Sequence, residues 1–503
     1  MKRNKNKNIK RLVILILIIS SFIGAYKFFE YKKFQELEKI RIEEEEKLAI
    51  IEEQKRKARE EEERQKKILE ELKKKTFYAD NNVDLFEDEK LSIMLDKKLN
   101  FQDKVIISKE IKDENNNLLS YEISSINDED FIAYVSPKKL KNDKTDWISI
   151  KYENVDYQHF DRTKYKKNKP EQVKGVYVSQ TAAKNAMGLL DNLLNLAKNT
   201  EINTFVIDVK DDNDNLLFYS ETAQKYLPEV NKNVAISNPK EFIDELKSQG
   251  IYLVARVVSF KSPKFATHYQ EKSLHYKADG KIYSDRDGLK WSSPYDEELW
   301  EYIVGISKEA IDLGFDEIQF DYIRFPATTK KTDENLVFYN QNNRSKVECI
   351  QQFLKYAYDE ISSKGAYVTA DIFGWIATSV DDQNIGQHWE AMSNIVDYMA
   401  PMVYPSHYGI NNFGILYPDK EPYRTVDASI KDAIKRNKNI YTPAKLRPWI
   451  QDFTASYLGS GKYIVYGPKE IQAQIKALED NGIYEFMLWN ASNKYTVGGL
   501  REN

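Results

Sequence analysis

The chain has 503 residues, more than one ordinary domain holds, so length predicts two or three domains. A net charge of −4 with 31% charged residues carries no global signal for nucleic acid, and no nucleic-acid partner is expected. One cysteine (Cys349) excludes an intramolecular disulfide framework, and five scattered histidines (His159, His268, His275, His388, His407) show no metal-ligand spacing, so neither a metal nor a cofactor is expected.

Residues 1–29 read as a cytoplasmic basic end and a membrane anchor. Lys2, Arg3, Lys5, Lys7, Lys10 and Arg11 precede Leu12–Tyr26, fifteen residues without a charge. A spanning helix needs roughly 17 to 25 apolar residues. Snorkelling of Lys10, Arg11 and Lys27 lets Ile9 to Phe29 bridge the hydrocarbon core. A cleavable signal peptide competes, but Ala25 with Ile23 two positions earlier makes a poor cleavage site. The expectation is a single-pass cell-membrane protein with everything after the anchor extracytoplasmic.

Residues 30–75 are a charged helical stalk. Glu43–Lys47, Glu52–Arg56, Glu60–Arg64, Glu63–Lys67 and Glu70–Lys74 have the acid-first i,i+4 order that supports a helix. Between Ile51 and Ile68 only Ala58 is apolar, which leaves no sustained coiled-coil seam. A solvated single helix is expected, with dimerisation through its ends left open. Residues 76–150 then show short alternating runs around Leu91–Leu95, Val105–Ile107 and Leu118–Ile123, the pattern of a small all-β module. Its end, DEDFIAYVSPKKL (Asp128–Leu140), resembles the closing strands of bacterial SH3-like domains, with Ala133 where that family prefers Gly. The resemblance implies contact with the cell wall; a spacer without a ligand is the alternative.

After a linker at 151–172, residues 173–495 alternate β-branched runs with amphipathic helical stretches. Strands are expected at Val173–Ser179, Thr204–Lys210, Ile251–Val258, Phe315–Arg324, Ala366–Phe373, Val396–Tyr404, Lys445–Asp452 and Ile483–Asn490. Helices are expected at Ala183–Asn199, Pro239–Gln249, Glu297–Leu313, Ser345–Ser363, Ile385–Ser393, Arg424–Asn437 and Pro468–Asn481. Eight strands and seven intervening helices make the count of a (β/α)8 TIM barrel, in the α/β class. An open doubly wound sheet would want a Gly-rich loop after its first strand, and VYVSQTAAKN has none.

In such a barrel the chemistry sits at the C-terminal ends of the strands. The run Gly314–Pro326, GFDEIQFDYIRFP, delivers Asp321 and Arg324 there. Asp208 and Lys210 close strand two, Arg256 lies in strand three, Asp371 in five, Asp452 at the end of seven, Trp489 and Asn490 at the end of eight. Carboxylates at four strand ends suit glycosidic bond cleavage, which needs one carboxyl ionised and one protonated. Trp375, Tyr404 and Trp489, with Trp291, Tyr322 and Trp449, are candidates for stacking on sugar rings.

Residues Gly175 to about Tyr495 resemble the bacterial putative glycosyl hydrolase domain family, a group of TIM barrels, in GVYVSQTAA, FVIDVKDDN, LVARVVSFK, GFDEIQFDYIRFP, VTADIFGW, DYMAPMVYPSHY and FMLWNASN. The resemblance implies a hydrolase of the alpha-amylase-like clan. That clan places an Asp nucleophile after strand four, a Glu acid/base after five and an Asp after seven; Asp321, Asp371 and Asp452 stand at similar positions, with Asp371 in place of the Glu. DEIQFDYIRFP is also similar to the DGxDxDxExP strand of family 18 chitinases, with Ile323 where the catalytic Glu would be. The resulting expectation has Asp321 as nucleophile or base and Asp371 as general acid. Arg256 and Arg324 orient Asp321; Asp208, Lys210, Asp452, Trp375, Tyr404, Trp489 and Asn490 bind substrate or stabilise the transition state. A polysaccharide is the expected partner. The rival is a non-catalytic glycan-binding or envelope-tethering protein on the same scaffold.

Overall fold

The computed structural model describes all residues except 1–4, 80–82, 100–102, 115, 126–127, 142–148, 159 and 169–170. The basic side chains from Lys2 to Arg11, His159 and the pairs Glu43–Lys47 and Glu70–Lys74 lie outside the described residues. Two compact units emerge. One holds Met1–Tyr78, Leu85–Leu95 and Lys104–Asn142; the other holds Ala79–Asp84, Asp96–Asp103 and Asp143–Asn503.

In the first unit, Lys5–Lys75 is one continuous helix of 71 residues, about 105 Å long at 1.5 Å per residue. The apolar segment and the charged stalk are therefore one element. Val13–Lys39 contains an 18-residue window of mean hydropathy 1.9 and is, by length and composition, long and apolar enough to cross a membrane. Its Val13, Leu17, Phe22 and Phe29 are exposed. Intrahelical ion pairs form, one of them in the acid-first i,i+4 order (Glu53–Lys57 at 3.5 Å), the others with different spacing or order: Arg56 takes Glu53 at 2.8 Å and Glu60 at 3.1 Å, and Arg64 reaches Glu61 at 3.8 Å.

After the helix, antiparallel ladders join Thr76–Ala79 to Lys104–Lys112, Lys104–Lys112 to Leu118–Ser125, and Leu118–Ser125 to Asp128–Val135. Val105, Ile107, Ile123, Ala133 and Val135 are buried, as period-2 alternation requires of a one-sided sheet. The strand expected around Leu91 starts only at Met94, because Leu91 adopts a left-handed φ of 56° in the preceding turn.

The second unit contains a closed parallel barrel. Its staves are β1 (Lys174–Val178), β2 (Thr204–Lys210), β3 (Tyr252–Val258), β4 (Glu317–Asp321), β5 (Tyr367–Phe373), β6 (Tyr398–Met402), β7 (Trp449–Gln451) and β8 (Phe486–Trp489). Each pairs with the next, and β8 pairs back to β1, so the eight close on themselves. Glu297–Leu313, Lys346–Ser362, Pro422–Asn437 and Pro468–Asp480 are among the outer helices. Gly250, Gly314, Gly365 and Gly482 take positive φ at the turns into β3, β4, β5 and β8.

Strand alternation explains the EIQFD sequence of β4. Ile318 and Phe320 pack outward into the main hydrophobic core. Glu317, Gln319 and Asp321 point into the barrel at three successive heights. At the bottom, Glu317 is fully buried, accepts from Arg447 Nη1 at 2.6 Å and from Thr369 Oγ1 at 2.5 Å, and so ties β4 to β5 and to the segment that leads into β7.

Several expected elements are shorter than their sequences suggest, among them the helix expected at Ile385–Ser393, which spans only Trp389–Ser393. β4 stops at Asp321 because Tyr322 turns to φ 51°, which puts Arg324 beyond the sheet. The seventh stave is broken: Lys445–Leu446 pairs with β6, and Pro448, which lacks an N–H, separates that pair from β7. The helix expected from Ala183 begins at Leu189, since Asn185, Met187 and Gly188 all adopt left-handed φ.

Candidate active site

The C-terminal ends of the staves surround a cavity of about 600 Å³, a size suited to a small-molecule or sugar ligand. Asp208, Arg256, Asp321, Arg324, Asp371, Trp375, Tyr404 and Trp489 all line it. Eight of the eleven expected site residues thus meet around one cavity.

Arg256 on β3 sits between two carboxylates. Its Nη1 donates to Asp208 Oδ1 at 2.5 Å, and its Nε donates to Asp321 Oδ2 at 3.0 Å, with Nη2 on the same oxygen. Burial works against the Arg256 charge, but Asp208 and Asp321 outweigh it and hold its pKa well above the ordinary. The register pairs Arg256 with Asp208 on β2 and with Gln319 on β4, so this meeting is dictated by strand pairing. The other Asp321 oxygen accepts from the backbone N–H of Tyr322 at 2.6 Å. Tyr322 itself adopts a left-handed φ of 51°, backbone strain of the kind that gathers at functional sites.

Asp371 on β5 has a different environment. Gln319 Nε2 and Trp449 Nε1 both donate to its Oδ1, at 2.5 and 2.7 Å. Burial raises its pKa well above the usual carboxylate range, and the nearby Asp321 charge adds to the rise; Arg256, Trp449 and Gln319 oppose it. With Oδ1 taken by two donors, the proton belongs on Oδ2. Burial also pushes Asp208 up to about 6, against the pull of Arg256 and of Tyr177, whose hydroxyl donates to Asp208 at 2.5 Å.

Aromatic side chains form much of the remaining wall. Tyr177 stacks on Trp489 with centroids 4.2 Å apart, and Trp489 meets Trp449 edge to face at 5.6 Å. The Arg256 guanidinium lies over both Tyr177 and Trp489, at 5.7 and 5.5 Å. Trp375 is more than a third exposed at the rim. Gly374 also lines the cavity, and no larger residue fits there: a Cβ would lie 2.5 Å from Met402 O and from Tyr408 Oη.

Three expected residues are not brought to the cavity wall. A register shift between β2 and β3 skips Val209, so Lys210 leaves the face that Asp208 occupies. It is fully buried instead, pairing with Asp214 at 2.6 Å and donating to Val258 O at 2.8 Å. Asp452 accepts from Thr496 N and Oγ1 at 2.8 and 2.6 Å, tying down the loop after β8. Asn490 shapes that loop through Asp452 O and Lys494 O. Arg324 does line the cavity, yet it makes no ion pair with Asp321 among the described residues; its guanidinium lies over Trp291, Tyr322 and Phe373 at 4.8, 5.1 and 4.4 Å.

Tyr177, Phe373, His407 and Tyr408 also line the cavity and are absent from the sequence-based set. Tyr177 was findable: it shares the inward face of β1 with Gly175. His407 ends a short 3-10 turn after β6, where periodicity says nothing, and burial lowers its pKa.

Among the described residues no cluster of His, Cys, Asp and Glu is arranged to hold a metal ion. No curated protein matches the chain. Among solved structures it is similar to a hypothetical protein from Ruminiclostridium thermocellum ATCC 27405 (29% identity over 39% of this chain and 96% of that one, TM-score 0.34). It is also similar to the PgaB (BpsB) glycoside hydrolase domain from Bordetella bronchiseptica (12% identity, 64% and 95% covered, TM-score 0.46). A third is the spore cortex-lytic enzyme SleL of Bacillus megaterium QM B1551 (10% identity, 66% and 73% covered, TM-score 0.38). Residues 175–495 match the model of a family described as "Putative glycosyl hydrolase domain", and the chain belongs to that family.

Proposed function

We propose that the barrel hydrolyses a cell-envelope polysaccharide with Asp371 as general acid and Asp321 as its ionised counterpart. The observation that carries this reading is the opposite treatment of two carboxyls on one cavity. Asp371 is buried, raised in pKa and leaves Oδ2 for a proton, whereas Asp321 receives two guanidinium donors. Glycoside cleavage asks for that division. Asp371 Oδ2–H gives its proton to the glycosidic oxygen as the C1–O bond breaks. In one route Asp321 attacks C1; water, losing its proton to the Asp371 carboxylate, then cleaves the resulting C1–Asp321 ester and frees both the sugar and Asp321. If the enzyme inverts, Asp321 instead takes the proton of the water that attacks C1. Asp208 supplies a polar contact for substrate, Arg256 orients Asp321, and Trp375, Tyr404 and Trp489 supply flat apolar faces for sugar rings.

The apolar, exposed Val13–Lys39 segment supports a membrane anchor, and the acid-free basic run that precedes it in the sequence supports placing the barrel outside the cell. The SH3-like reading of residues 76–150 supports contact with the cell wall. The experiment is incubation of the full-length protein in detergent with isolated cell-wall and exopolysaccharide glycans, read as new reducing ends. Release by the native protein and none by D371N is the expected result; no release from any glycan overturns the hydrolase reading.

One observation favours a second reading, a cleft that binds a glycan without cutting it. Both oxygens of Asp321 already carry donors, and its side chain is 9% exposed. Retention of a glycan without new reducing ends is the outcome specific to this alternative.

A further inference from the structure

We propose that Arg324 recognises an anionic substituent, a carboxylate or phosphate, on the glycan that enters the cavity. This inference rests on the reading of the cavity as a glycan site and names the class of glycan it takes.

Arg324 is the anomaly of the cavity wall. Its residue is only 8% exposed, yet among the described residues no carboxylate lies within ion-pair distance of it. The neighbouring acids are already engaged. Asp321 holds Arg256. Asp285 pairs with Lys261 at 3.3 Å and accepts from Trp291 Nε1 at 3.0 Å. Asp212, which also lines the cavity, is 3.9 Å from the same Lys261. An isolated buried cation is costly unless something compensates it. Three aromatic rings do so in part, since the guanidinium carbon lies 4.8 Å from the Trp291 centroid, 5.1 Å from Tyr322 and 4.4 Å from Phe373.

The hydrogen-bond inventory points the same way. A guanidinium has five N–H donors in a fixed fork. One of them, on Nη1, goes to Phe325 O at 3.0 Å. The rest of the fork belongs to a side chain on the wall of an open 600 Å³ cavity. A planar fork of this kind matches two oxygens of a carboxylate or phosphate at once, which a sugar hydroxyl cannot do. Tyr322 and Phe373 beside it are flat surfaces on which the ring bearing the anion can rest. Two further features place this end on the same β4–β5 side as the acid pair but further along the strand direction. Arg324 follows the strained turn at Tyr322, and the register sets Phe373 at the far end of β5, two residues beyond Asp371. The anion would therefore sit on the β4–β5 side of the mouth, with Arg256 and Asp208 on the β2–β3 side.

The test uses the full-length protein in detergent and isolated cell-wall polysaccharide in three forms: untreated, reduced at its carboxyls, and dephosphorylated. Binding is read by co-sedimentation and by quenching of tryptophan fluorescence, and reducing ends are measured on the same samples. The native protein is expected to bind the untreated form about tenfold or more tightly than one of the two treated forms, the size of a charge-assisted contact. The treatment that weakens binding identifies carboxylate or phosphate. R324Q is expected to lose the difference, while R324K, which keeps the charge without the fork, retains part of it. Equal binding of all three forms by the native protein, binding of none, or an undiminished difference in R324Q overturns the assignment. Anion-dependent binding without new reducing ends leaves it standing and removes the hydrolase reading; cleavage indifferent to both treatments does the reverse.

Discussion

Gln319 Nε2 lies 2.5 Å from Asp371 Oδ1, so the middle rung of β4 holds the acid of β5. The bond stabilises the ionised carboxyl and fixes which oxygen carries the proton when it is neutral. Replacing Gln319 by Ala should move the alkaline limb of the pH–rate profile further upward. Loss of orientation should lower kcat by about tenfold, the equivalent of one buried hydrogen bond. An unmoved alkaline limb would separate Gln319 from the chemistry.

The two carboxyls should differ in what their amides do to the fold. In D371N the side-chain oxygen can still accept from Gln319 and Trp449, so the melting temperature should hold while turnover drops by about 10²-fold or more. In D321N the buried Arg256 loses one of its two anions, so the loss of turnover should come with destabilisation of about 3–5 kcal/mol. Urea unfolding of both variants beside the native chain checks this pair of outcomes.

Most of the architecture is legible in the sequence, and the exceptions share a cause. Period-2 patterning in EIQFD and the glycines at 250, 314, 365 and 482 mark strands and turns locally, and all eight staves are found in order. Lys210 is misplaced by the same alternation rule, because one register shift between β2 and β3 inverts the face and no local residue announces it. The pairing of Arg256 with both Asp208 and Asp321 joins residues 48 and 65 positions apart and follows only from neighbouring staves. Arg324 misleads for the opposite reason. Close to Asp321 in sequence, it is carried away by the left-handed turn at Tyr322.

Lys210 has a structural role that can be measured. Its ammonium and the Asp214 carboxylate are both fully buried, and Asp214 also accepts from Ser262 Oγ at 2.6 Å and Lys264 N at 2.7 Å. K210M should strand the Asp214 charge and cost about 3–5 kcal/mol of stability. Glycan affinity of the folded fraction should be unchanged. A loss of affinity at full stability would return Lys210 to the binding site.

Asp208 should leave a mark on the pH dependence of stability. Its folded pKa of about 6 exceeds the unfolded value of about 3.9. The native state therefore binds the extra proton between these values, and stability falls as pH rises from about 4 to about 6, then levels off. Thermal melts of D208N across that window should show a shallower slope than the native chain. Equal slopes would mean that Asp208 titrates normally.

Gly374 tests how tightly the mouth is built. In G374A the new methyl meets Met402 O and Tyr408 Oη, and β5 must shift against β6. A cost of about 1–3 kcal/mol is expected, with weaker glycan binding because Gly374, Met402 and Tyr408 all line the cavity. Calorimetric melting and a binding titration report the two effects.

The most direct measurement is the infrared difference spectrum between the native protein and D371N at pH 7. A carbonyl band from a neutral carboxyl, present in the native chain and missing from the variant, is the result expected of an acid kept ready to donate. A difference spectrum containing only ionised carboxylate bands would mean that position 371 has no proton to give, and the division of labour between it and Asp321 would be wrong.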